Sequence, residues 1–99
     1  MEKDTKKGIQ VNFPNELKGG VYSNLMVVSH TKEEFVLDFM MVAPSVGSVT
    51  SRVIISPGHM KRMISALQIN MSNYEKKFGT ITPAEEPPKP TMGFHPPTS

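Results

Sequence analysis

Asp38 is the residue in this sequence most able to do chemistry. It stands within Phe35-Val36-Leu37-Asp38-Phe39-Met40-Met41, flanked by large apolar side chains. A carboxylate on an interior strand is costly unless it is paired. Arg52, in the neighbouring segment Ser51-Arg52-Val53-Ile54-Ile55, is the obvious cation for it. The expected arrangement is a structural ion pair Asp38–Arg52 that fixes strand register, or an Asp38 turned to solvent. A ligand-binding or catalytic carboxylate is the competing reading, and acid–base work would ask for a second acid that does not stand nearby.

The other reactive types are scattered. His30, His59 and His95 have no histidine or carboxylate partner at metal-ligand spacing. There is no cysteine and no Gly-x-Ser-x-Gly, and Gly19-Gly20 lacks the lysine and strand–loop–helix setting of a phosphate loop. The sequence therefore predicts no enzyme, no metal and no cofactor. Ser56-Pro57-Gly58-His59, followed by Lys61 and Arg62, offers a candidate anion or nucleic-acid site at Gly58, His59, Lys61 and Arg62, because a helix N-terminus favours negative charge. Ordinary helix capping beside solvated charges explains the same residues.

These positions depend on the elements that carry them. Ile9, Val11 and Phe13 alternate with Gln10 and Asn12, which predicts a short strand ending at Pro14. Asn15 to Gly20 is a loop. Val21–Thr31 and Phe35–Val42, joined by a polar turn, predict a β-hairpin, and Val49–Ile55 a further strand. A helix follows, with Ser56 as N-cap and Pro57 at the first helical position. Met60, Met63, Ile64, Leu67, Met71, Tyr74 and Phe78 keep one face apolar, and Gly79 is the stop. The fold class is α+β: an antiparallel sheet of three to four strands followed by one long C-terminal amphipathic helix.

Ninety-nine residues allow one domain. Residues 1–8 are predicted to be a disordered N-terminus, 9–79 the domain, and 80–99 a disordered tail that holds six of the nine prolines. Pro87-Pro88-Lys89-Pro90 has the composition of a linear docking motif, although a solubilising tail is the plainer reading. The opening Met-Glu-Lys-Asp-Thr-Lys-Lys-Gly leads into no apolar signal region, and no apolar run approaches a membrane span, so the expected location is the cytoplasm. A net charge of +2 is mild. The helix holds Lys61, Arg62, Lys76 and Lys77 against Glu75 alone, which a solvated face would also show.

A core this small is marginal alone, and with no cysteine to staple it, self-association is the available route to stability. The hairpin strands are apolar at both parities, so both faces of the sheet need cover, and one helix can cover one. A two-fold homodimer, sheet on sheet or with swapped helices, is expected, its interface drawn from the less aromatic face and including Met26, Val28, Val36 and Met40.

The segments Gly20-Val21-Tyr22-Ser23-Asn24, Glu34-Phe35-Val36-Leu37-Asp38-Phe39 and Ser51-Arg52-Val53-Ile54 resemble the small prokaryotic family catalogued as domain of unknown function 3467, over about residues 20–79. The resemblance implies no reaction, cofactor or catalytic residue. Family members in Bacteroidetes-type genomes often lie beside the genes for the large RNA polymerase subunits, which implies a role near transcription. The topology also resembles, at the level of element order only, the repeat of Pur-alpha-like single-strand binders, and fold alone does not assign function. The expected function is a non-catalytic, self-associating accessory module that docks on RNA polymerase or another large assembly. The alternative is a weak, electrostatic single-stranded nucleic-acid binder. That alternative needs exposed stacking aromatics, and only Tyr22, Phe35 and Phe39 are on offer.

Overall fold

The structure is a computed structural model that describes residues 8–85. The predictions made for residues 1–7, for the Pro87–Pro90 motif and for His95 lie outside the described residues.

Three strands form one antiparallel sheet in the order β1-β2-β3: β1 is Leu25–His30, β2 Phe35–Val42 and β3 Gly47–Ile55. Two short turns make this meander. Thr31 N donates to Glu34 O at 2.9 Å, and Thr31 Oγ1 accepts from the amides of Glu33 and Glu34 at 3.1 and 3.2 Å. Ala43 N donates to Val46 O at 2.7 Å in the second turn. The helix α1, Pro57–Phe78, follows β3 directly. The architecture is thus α+β, a three-strand antiparallel sheet followed by one helix.

Residues 9–13 do not form a strand. Ile9, Val11 and Phe13 are exposed, and the chain reaches β1 through a single 3-10 turn at Asn15–Leu17. The alternating pattern is correct for a strand but has no paired neighbour, and an unpaired strand leaves its backbone groups to water. β1 likewise begins at Leu25 rather than at Val21. The preceding segment is held by side chains instead.

The register sorts the sheet into cross-strand rows. Val27, Asp38 and Arg52 form one row, Ser29, Val36 and Ile54 the next, and Leu25, Met40 and Val49 a third on the same face. The opposite face carries His30, Phe35 and Ile55, then Val28, Leu37 and Val53, then Met26, Phe39 and Ser51. A bulge between Phe39 and Met40 leaves Thr50 as the extra residue of β3, and Thr50 Oγ1 donates to Phe39 O at 3.1 Å.

The helix is built by local signals. Ser56 Oγ accepts from His59 N at 3.2 Å, Pro57 occupies the first turn, and Lys76 and Lys77 lie in the last. Gly79, at φ 101°, sends its N–H to Glu75 O at 2.9 Å, a conformation that favours glycine. Yet no residue of α1 is buried. Among the described residues the buried apolar side chains are Val36, Leu37 and Met40, all on the central strand. Met60 and Met63 at the start of the helix are half-buried, and its other apolar side chains are exposed. The Cα radius of gyration, 16.5 Å, exceeds the roughly 13 Å of a compact chain of about 100 residues. No helix among the described residues is long and apolar enough to cross a membrane.

Candidate functional site

The most enclosed polar group is the Asp38 carboxylate, 1% exposed at the centre of β2. Arg52 meets it from β3 in a two-pronged contact: Nε donates to Oδ1 at 2.7 Å and Nη2 to Oδ2 at 2.9 Å. Both residues sit in one cross-strand row, so the register itself brings the charges together. The Arg52 side chain is 47% exposed, which leaves the far edge of the guanidinium to water. Its pKa is raised above the ordinary arginine range, first by the hydrogen bond to Asp38 and then by that residue's charge. A fork of this kind is geometrically selective and rules out a slip of β2 against β3, since a shift of one residue would turn Arg52 to the other face. With both carboxylate oxygens engaged, Asp38 is placed as a structural clamp. No group of three or more His, Asp or Glu side chains that could hold a metal ion occurs among the described residues.

The helix N-terminus has less to offer an anion than its sequence implies. His59 N is taken by the Ser56 hydroxyl, and Met60 N by Ser56 O at 3.0 Å. Pro57 has no N–H to give. Arg62 Nη2 lies 2.9 Å from His59 Nδ1, so the arginine is drawn along the helix surface. All four candidate residues, Gly58, His59, Lys61 and Arg62, are exposed, with His59 and Arg62 paired to each other. His30 is on the sheet, its ring centroid 5.3 Å from that of Phe35.

The four residues expected at an interface do not share a surface. Met26 pairs with Phe39 and Val28 with Leu37, which puts them on the aromatic face, while Val36 and Met40 lie on the face of Asp38. The expectation of one common face is corrected by the register. Val36 and Met40 are buried, whereas Met26 is 45% and Val28 44% exposed beside Met41 and Val53. A second uncovered surface is on the helix: Ile64, Leu67, Met71, Tyr74 and Phe78 are all exposed, Leu67 to 61%. Tyr74 and Phe78 touch each other, with ring centroids 4.9 Å apart, one turn apart on this stripe.

Sequence reasoning missed the residues that tie the entry segment to the sheet. Asn24 acts as an extra rung of the β1–β2 ladder: its N donates to Met40 O at 3.0 Å, its Nδ2 to Val42 O at 2.9 Å, and its Oδ1 accepts from Val42 N at 2.9 Å. The Ser23 hydroxyl lies 2.9 Å from Met40 O and 3.0 Å from Leu25 O. The signal was a Ser-Asn pair directly before an apolar run, residue types whose side chains compete for backbone groups.

No curated protein and no solved structure matches the chain. A family described as a protein of unknown function (DUF3467) matches residues 1–83, which takes in the whole sheet, the helix and the Ser23-Asn24 tie. On that match the protein belongs to the DUF3467 family.

Proposed function

We propose that this protein is a non-catalytic, self-associating accessory module, whose assembled form presents its remaining surface to a larger assembly. The observation that carries this reading is the mismatch between the apolar surface the chain displays and the core it builds alone. A 22-residue helix, about 33 Å long, leaves Ile64, Leu67, Met71, Tyr74 and Phe78 about half or more exposed while three apolar side chains on β2 are buried. Contiguous exposed patches of that kind mark interaction surfaces. The transcription apparatus is the assembly toward which the family's genomic neighbourhood points. The nucleic-acid alternative has weaker support, because Tyr22 lies outside the strands, Phe35 and Phe39 are half-buried, and Arg62 is engaged by His59.

Sedimentation equilibrium of the full chain from about 1 to 100 µM tests the reading, a range in which Kd values typical of weak to moderate complexes are resolved. The expected result is a reversible oligomer. A folded monomer across that range would contradict it.

A further inference from the structure

The apolar stripe of α1 contains a heptad seam, with Met63 flanking it at a g position. Met60, Ile64, Leu67, Met71, Tyr74 and Phe78 follow one another in steps of four, three, four, three and four. That is an unbroken heptad seam along the length of the helix, with Ile64, Met71 and Phe78 at a positions and Met60, Leu67 and Tyr74 at d. A helix that packs on a sheet needs a broader face and no such strict alternation.

The seam also fits itself in one orientation. When two copies run antiparallel, each a residue faces a d residue: Leu67 meets the partner's Met71, Ile64 the partner's Tyr74, and Phe78 the partner's Met60. Every layer then joins a large side chain to a smaller or more flexible one, as dense packing asks. The flanking e positions are Lys61, Gln68 and Glu75. In this register Lys61 lies opposite the partner's Glu75, the reverse pair recurs across the two-fold axis, and Gln68 meets its own copy at the axis. A parallel pair would bring no acid to Lys61 and would stack Phe78 on Phe78. Glu75 has the capacity for the contact: Oε2 accepts from Ile81 N at 2.9 Å, which leaves its other oxygen for a cation.

We infer that α1 is the self-association element, and that the occupant of its apolar stripe is α1 of a second copy, paired antiparallel as a two-helix seam with Lys61–Glu75 contacts at both ends. The inference rests on the self-association proposed above. It assigns that association to the helix rather than to Met26, Val28 and the aromatic face of the sheet.

The test uses charge reversal and cross-linking in the full chain, with association read by sedimentation. Lys61→Glu and Glu75→Lys each turn two attractive contacts into repulsive ones, and each is expected to weaken association by about tenfold, while the double variant recovers most of the loss. Lys61 is exposed, and Glu75 holds only the amide of Ile81 beyond the capped helix, so circular dichroism should stay close to that of the wild type. The chain has no cysteine, so Gln68→Cys introduces a single thiol. Under oxidant it should form a covalent dimer rapidly, because the e positions meet at the axis in the antiparallel arrangement alone. A dimer unaffected by either reversal, or one whose Gln68→Cys form does not cross-link, would overturn the helix seam and leave self-association standing. A monomeric wild type would remove both.

Discussion

The sheet and the helix of this protein solve the same problem in opposite ways. In β1–β3 most of the expensive groups are answered within the chain, the buried Ser29 hydroxyl excepted. The Asp38 carboxylate has its arginine, Asn24 supplies a missing ladder rung, and the bulge at Phe39 is closed by Thr50. In α1 only the backbone is answered locally, by Ser56 at one end and Gly79 at the other. Its apolar side chains, Met60 and Met63 apart, are about half or more exposed. The difference teaches that the sheet is specified by contacts the chain makes with itself, while the helix is specified in shape by its own sequence and, on the proposed reading, in packing by a second copy. Helices of ordinary length draw most of their stability from tertiary packing, so α1 is the region whose order should depend on concentration.

The largest effect should come from breaking the sheet. Arg52→Met strands a buried carboxylate and should be the most damaging single change, with a loss of stability of similar size at every protein concentration. Asp38→Asn leaves a half-exposed guanidinium free to turn to solvent, and should cost about 1–3 kcal/mol in urea denaturation. Strict additivity in the double variant would mean that the pair does not couple. Next comes Leu67→Glu. In a single chain this side chain is largely in water, so substitution should change intrinsic stability by no more than about 0.5 kcal/mol, yet it should abolish the concentration dependence of the melting temperature. A Leu67→Glu variant that unfolds at all concentrations would show that the helix packs within its own chain. The smallest expected effect is Ser56→Ala, about 1 kcal/mol through the lost N-cap, read as reduced helicity by circular dichroism.

Much of this contrast was legible in the residues. Ser56-Pro57 and Gly79 mark the helix by chemistry that acts within a few residues. Asp38 amid apolar neighbours demanded a cation, and Arg52 was the candidate at hand. What was hidden depends on pairing at a distance. Ile9, Val11 and Phe13 have a strand's alternation, but no local pattern reveals that no neighbour is there to pair with them. Met26, Val28, Val36 and Met40 could not be divided between faces without the register, because the strands are apolar at both parities. Asn24 as a ladder rung required knowing that Val42 would lie beside it.

The most direct measurement is methionine footprinting at Met71, an a position of the proposed seam that is half-exposed in the single chain. The full-length protein is treated with peroxide over a range of concentrations, and the sulfoxide at each methionine is read by mass spectrometry. Met40, buried within β2, serves as the internal standard for a folded sheet. The account expects Met71 to oxidise slowly in concentrated protein and to approach the rate of a free methionine on dilution, while Met40 remains protected throughout. Rapid oxidation of Met71 at every concentration, with Met40 still protected, would contradict it.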